Sequence, residues 1–508
     1  MIIHTLIAAA TLNSSTAFAQ DLETRATTVN GDGDEKVTTH YRFDTEWHDY
    51  SNLDFRALDE TSDQAIMDSD DDFSFAFSGV SAEVSYRFEE DSRFVLGVSH
   101  RGLWGNDQLG STTPNGGFLY VTALFLEHDL SDGFTLQVGR QHMQIGGLEG
   151  ARDYPLSDIL DMAKIERKIG AIGTLSLLTD TPSLTTADDT ASFLEYAGQS
   201  SESSYPMRGD RMTTRFGGIL ALDNWSDRIK ARVYGFYTDI GAEGTGSDIS
   251  YNGTLGNFAD NDWVANYGVR GSFTLNNFDL YGAFDGSYGI DRKELVANDV
   301  DTNGYAITAG AKYGAEAGLQ VATSFYQALG GAYSEDGLAF SHGYVGMKGA
   351  HIGGTITNRF MGWHPSAYVG SYGINDTPHN TDRKSGTQVL SASASYIFSG
   401  EQVVGLSWWG MSDTGTTWVD QGNLDLIEPP FGYSREQFAA QARLGSSLGH
   451  EIDVHFSTPV SDNIDIYGSA AVLLPGAFYE IEVERVAGDA LGGTEMAYGS
   501  FAGLRAEF

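Results

Sequence analysis

The sequence predicts an all-β chain closed into a single transmembrane antiparallel barrel of roughly 16–20 strands, with long extracellular loops and short periplasmic turns. Three observations predict it. The chain ends on an alternating strand and a terminal aromatic, Phe508. Alternating segments recur from residue 37 onward, joined in turn by short and by long connections. No stretch after Ala19 is apolar enough for a spanning helix, which needs roughly 18 unbroken apolar residues.

The elements follow in chain order. Residues 1–19 read as a secretory signal, with an apolar core from Leu6 to Leu12 and the small-x-small sequence Ala17-Phe18-Ala19 before Gln20. Residues 20–36 are expected to be a flexible segment, and residues 37–508 the barrel. Tight connections are expected at Glu89 to Ser92, Ser131-Asp132-Gly133, Asp223 to Asp227, Asn276-Asn277, Gly314 to Ala317, Lys348-Gly349-Ala350 and Ser399-Gly400. Asn, Asp and Gly suit them because they tolerate the positive φ of hairpin turns. Polar stretches at 49–79, 179–210, 240–262, 288–303, 360–386 and 412–449 are expected to be the long loops. About twenty candidate strands emerge, and their connections alternate if both termini are periplasmic.

Three segments show the two faces most clearly. In 263–275, Trp263, Ala265, Tyr267, Val269, Gly271, Phe273 and Leu275 oppose Val264, Asn266, Gly268, Arg270, Ser272 and Thr274. In 387–398, Leu390, Ala392, Ala394, Tyr396 and Phe398 oppose Ser391, Ser393 and Ser395. In the closing segment, Tyr498, Ser500, Ala502, Leu504, Ala506 and Phe508 share one side. Hydrocarbon outside and water inside is the simplest cause of that split. One closed barrel also lets a long chain satisfy its backbone groups without a sheet edge.

Composition narrows the function. The chain of 508 residues has no cysteine, so a disulfide framework and thiolate chemistry are excluded. Its formal net charge of −39 repels phosphates and excludes nucleic acid as a partner. That charge fits either a salty medium or loops that bind divalent cations. Asn30-Gly-Asp32-Gly-Asp34-Glu35 and Asp68-Ser-Asp70-Asp71-Asp72 have ligand-like spacing but lack the glycine and closing acid of an EF-hand loop. Asp299-Val-Asp301-Thr-Asn303-Gly304 has the glycine, and a hydrophobic strand follows it. They read better as solvated loops, so no cofactor is expected, with Ca2+ in the acidic loops as the alternative. No histidine sits in a His-Glu-x-x-His context, and Gly445-Ser446-Ser447-Leu448-Gly449 matches Gly-x-Ser-x-Gly in spacing alone, so no enzyme is expected. Ser341-His342 and His450/Asp453/His455 read as loop or wall residues.

With the apolar face outward, the inward cations are Arg42, Arg87, Arg101, Arg211, Arg215, Arg270, Lys312, Arg359 and Arg505. The inward acids are Asp44, Glu46, Glu83, Glu89, Asp453, Asp465 and Glu507. This wall is much less acidic than the whole chain. Such arginines either attract anions into the pore or pair with lumen carboxylates and stiffen the barrel. Alternation does not orient Arg140, Lys230 or Arg232.

Two segments resemble the alginate-export family of outer-membrane barrels. One is Leu136-Gln-Val-Gly139-Arg140-Gln141, followed by Ala151-Arg152-Asp153. The other is Leu448-Gly449-His450-Glu451-Ile452-Asp453, followed by 463–474 and Leu474-Pro475-Gly476-Ala477-Phe478. With the closing strand they cover about the last 60 residues and a patch near 140. The resemblance implies a monomeric barrel of about 18 strands in a Gram-negative outer membrane, passing an anionic polysaccharide through an arginine-lined constriction. By motif it singles out Arg140 and Arg152 in the pore, and Glu451 and Asp453 as groups that order a loop or rim. The chain is more acidic than that cargo suggests. The expectation is therefore a porin-like channel for anionic or polar solutes by passive diffusion, with a non-specific porin or a barrel-based enzyme or adhesin as alternatives. The expected pore-lining set is Arg140, Arg152, Arg211, Arg215, Arg270, Lys312 and Arg359. The expected partners are outer-membrane lipid, lipopolysaccharide and an anionic or sugar solute.

Overall fold

Period-two segments rich in Val, Tyr, Phe and Ala extend into strands and pair in sequence order, each with the next, all antiparallel. In a computed structural model they are β1 (Val37–Ser51), β2 (Phe73–Glu89), β3 (Ser92–Trp104), β4 (Phe118–Leu130), β5 (Phe134–Ile145), β6 (Leu156–Ile169), β7 (Gly173–Thr181), β8 (Thr214–Ala221) and β9 (Ile229–Asp239). They continue with β10 (Trp263–Leu275), β11 (Phe278–Asp291), β12 (Val300–Gly314), β13 (Gly318–Ala328), β16 (Thr387–Ile397), β17 (Val403–Asp413), β18 (Ser447–Ser461), β19 (Ile464–Pro475) and β22 (Ala497–Glu507). The two-residue pieces β14 (Ala332–Tyr333), β15 (Phe340–Ser341), β20 (Val483–Glu484) and β21 (Ala490–Leu491) lie in long connections. The structure describes residues 37–51, 73–104, 118–145, 156–181, 214–239, 263–291, 300–329, 387–414, 447–476 and 495–508, apart from 224 and 316. It also describes short pieces at 332–333, 340–341, 344, 347, 354–360, 483–484 and 490–491.

β22 pairs with β19 on one side and with β1 on the other, from Arg42↔Glu507 to Ser51↔Tyr498. The sheet therefore closes, and the barrel has 18 strands. The sheet counts twenty only if β14 and β15 are included, and β15 touches β12 at the single pair Asp301↔Ser341. The expected tight turn at Lys348-Gly349-Ala350 lies outside the described residues. So do both acidic runs and residues 1–36. Strands reach further into several expected loops: Val300–Gly304 belongs to β12.

Short turns lie at one end of the barrel, long connections at the other, and both terminal strands begin and end on the short-turn side. That end is periplasmic in the outer-membrane arrangement. The outer wall exposes Phe43, Trp47, Leu124, Val138, Leu177, Val269, Leu406 and Val454, as a lipid-facing belt requires. Aromatic rings rim it. Towards the extracellular side Phe216, Tyr237, Trp263 and Tyr288 form a row of ring contacts across β8–β11, with centroids 5.2, 5.6 and 5.5 Å apart. Towards the periplasmic side Tyr396 and Phe398 pair at 4.8 Å, and Tyr86 and Phe88 at 6.5 Å. Amphipathic rings prefer this boundary. This is the wall of an outer-membrane barrel.

Candidate functional site: the lumen wall and the segment that crosses it

The inward face of each strand is fixed by the outward one. On β1 the inner ladder is Arg42, Asp44, Glu46, His48 and Tyr50, all buried, between the exposed Tyr41, Phe43 and Trp47. Each acid on this ladder bridges two neighbours. Asp44 accepts from Arg42 Nε at 2.6 Å and from Arg505 Nε at 2.9 Å. Glu46 accepts from Tyr467 Oη at 2.6 Å and meets His48 Nε2 at 3.0 Å.

The same economy holds across the barrel. Arg215 Nε lies 3.0 Å from Asp180 Oδ2, both side chains buried. Arg270 is 1% exposed, and its Nη2 is 2.5 Å from Asp285 Oδ2. Tyr234 Oη donates to the other oxygen of Asp285 at 2.6 Å. Arg42, Arg215, Arg270 and Arg505 thus face inward as alternation predicts; Arg215 and Arg270 each have a buried carboxylate, while Arg42 and Arg505 share Asp44, with Glu507 3.9 Å from Arg42. A buried guanidinium needs such a partner, because desolvating it alone costs several kcal/mol by rough estimate.

The cations that remain open to water sit near the periplasmic ends of their strands. Arg87 and Lys168 are exposed, while Arg93, Lys230, Arg232 and Lys312 are partly exposed on the inner face. Arg232 stands across from Arg270 in register and reaches Asp223 at 3.3 Å. Arg93 holds Glu127 at 2.7 Å. These residues make the periplasmic vestibule a mixed but cation-bearing surface.

The segment after β13 enters the lumen. It starts where Leu329 N donates to Tyr305 O and Tyr344 N donates back to Leu329 O. Met347 then packs into an apolar cluster on the inner face of β5–β9, with Met143, Ile145, Leu156, Leu160, Met162, Leu178, Ile219, Tyr234 and Phe236. Seven residues later the chain is at another wall. Thr355 N donates to Asp453 Oδ1 at 3.0 Å, and Ile356 N donates to Glu451 Oε1 at 2.6 Å. Glu451 Oε2 accepts from Thr357 N at 3.1 Å and from Thr357 Oγ1 at 2.6 Å. Thr355 Oγ1 meets Ser469 Oγ at 2.7 Å, and Trp409 Nε1 holds Asp453 Oδ2 at 2.7 Å.

Glu451 and Asp453 lie on β18, half a circuit of the barrel from β7. The described residues Tyr344, Met347 and 354–360 are therefore the anchors of a strap, packed on one wall of the lumen and hydrogen-bonded to the opposite one. The anchor is a π-helical turn, Thr355–Phe360, whose first amides have no partner within the turn and point at two carboxylates. Gly354 lets it sit so low: a Cβ there would lie 2.5 Å from Glu451 Cδ and 2.7 Å from Asp453 Oδ2.

The expected pore residues fall into distinct places. Arg215, Arg270 and Lys312 are on the lumen face, the first two ion-paired. Arg152 and Arg211 lie outside the described residues. Arg359 is in the π-helical turn rather than on a strand, which corrects its expected placement. The run His351 to Phe360 reads as β-branched and extended, but docking on Glu451 and Asp453 overrides that propensity. Arg140 is also corrected. It shares the outer face with Leu124 and Val138 and forms an ion pair with Asp161 on that face, at 2.9 and 2.7 Å. Its motif neighbour Gly139 has φ +127° and approaches β4 so closely that a Cβ would lie 2.2 Å from Leu124 O. Lys230 and Arg232, which alternation left unoriented, face the lumen. Sequence reasoning missed Asp180, Asp285 and the inner apolar cluster altogether.

No family model matches the chain, and no curated protein matches it. Among solved structures the barrel is similar to OccAB2 of Acinetobacter baumannii, with 9% identity, a TM-score of 0.49, and coverage of 93% of this chain and 98% of that one. It is similar to OpdL of Pseudomonas aeruginosa at 10% identity and TM-score 0.48, covering 93% and 98%. It is also similar to OprD of Pseudomonas aeruginosa at 9% identity and TM-score 0.47, covering 93% and 94%.

Proposed function

We propose that the chain is an outer-membrane channel through which small anionic or polar solutes diffuse. The observation that carries this reading is the strap itself. A segment held at Met347 on one wall and on Glu451 at the other narrows a closed, water-facing lumen. Below it, Arg87, Lys168, Lys230, Arg232 and Lys312 stand among Glu166, Asp223, Asp279 and Asp465, and the cationic side of this mixed vestibule would draw anions toward it. The sealed arginines contribute little to that field, because each is matched by a carboxylate within hydrogen-bonding distance.

The alginate-export resemblance suggests an anionic polysaccharide as the solute. A strap anchored at both walls favours monomeric or short acids over a polymer that must thread past it. Current through the purified protein in a planar bilayer tests the channel reading. Block by a monomeric uronate but not by a polyuronate would support the small-solute form. Block by the polymer alone would reverse that preference.

A further inference from the structure

In the extracellular halves of β5–β7 the usual division of the wall is blurred. The lumen face there carries Met143, Ile145, Leu156, Leu160 and Met162 beside Gln141 and Asp180, all buried. The outer face carries Arg140, His142, Asp161 and Thr179 beside Ile159. Arg140 and Asp161 are cross-strand partners, joined by two hydrogen bonds, with side chains 39% and 51% exposed. Both lie well inside their strands. Among outward residues whose side chains are described, the other charged ones, Asp49, Asp239 and Arg167, sit at or near strand ends.

Hydrocarbon solvates such a pair poorly at this depth. The aromatic rim that runs from Phe216 to Tyr288 also has no Phe, Tyr or Trp to continue it on this sector, among the described residues. An outward ion pair set this far inside its strands is built to be covered by protein.

We propose that this sector binds a second copy of the chain, forming a two-fold dimer with both barrels in the same orientation. An axis along the membrane normal, passing between Arg140 and Asp161, sets each copy's Arg140 opposite the other's Asp161. The patch is then complementary to itself, as an isologous interface requires. Each charge gains a second partner of opposite sign in place of lipid. This departs from the monomer that the sequence resemblance implies, and it stands independently of the channel reading.

The chain has no cysteine, so one introduced thiol reports alone. Ala163 is the next outward position on β6, in register with Val138. In lipid nanodiscs the wild type is expected to have the mass of a dimer, and Ala163→Cys to form an inter-barrel disulfide on oxidation. Adding Arg140→Leu and Asp161→Leu should abolish that disulfide and leave monomers whose heat-resistant gel mobility is unchanged. The swap Arg140→Asp with Asp161→Arg should keep the dimer. A wild-type monomer in nanodiscs, or a cross-link that survives the double leucine variant, overturns the proposal.

Discussion

At the scale of single residues, a charge on the inner wall can either support the barrel or meet the solute, and burial separates the two. Arg270 is sealed against Asp285 and Tyr234, so Arg270→Ala leaves a buried carboxylate without its cation. The expected loss is about 3–5 kcal/mol of stability, measured by urea unfolding from lipid, with ion selectivity unchanged. Replacing both partners, as in Arg270→Met with Asp285→Leu, should recover most of that loss. Lys230→Glu combined with Arg232→Glu should do the opposite. Folding persists, because both side chains are partly exposed, and the reversal potential in a salt gradient moves toward cation preference. Alternation in the sequence found the faces of Arg42, Arg215, Arg270, Lys312 and Arg505, because a period of two needs only local backbone. It did not find their partners: Asp180 lies 35 residues from Arg215 and Asp285 lies 15 from Arg270, on strands whose register the sequence does not print. Arg140 was unreadable for another reason. Along β5 the apolar side switches from outward Leu136 and Val138 to inward Met143 and Ile145, so no single assignment fits the whole strand.

At the scale of elements, the strands were legible and the strap was not. Trp263–Leu275, Thr387–Ile397 and Ala497–Glu507 have the faces that alternation assigns them. Residues 355–360 carry Thr and Ile in a pattern that local propensity reads as extended, yet two carboxylates from β18 capture their amides as a turn. Only the short motif around Glu451 and Asp453 hinted at such an ordering role. Glu451→Ala removes three hydrogen bonds to a carboxylate, each contributing roughly 1.5–3 kcal/mol. The strap should then leave the wall, and single-channel conductance should rise and become noisy. Gly354→Val should reproduce that effect by collision rather than by lost bonding. If either variant conducts like the wild type, the anchor does not hold the constriction.

At the scale of the whole molecule, the barrel is one sheet that separates two solvents, with most of the acidic chain outside its strands. The closed pairing of β22 with β1 leaves no free edge, so the fold should be heat-resistant in detergent until the strands separate together. What passes through it depends on the space between the strap and the vestibule. The most direct test of the channel is current through the purified protein in a planar bilayer under a salt gradient. The account predicts steady conductance with a reversal potential on the anion side. Silence at every applied voltage would contradict it.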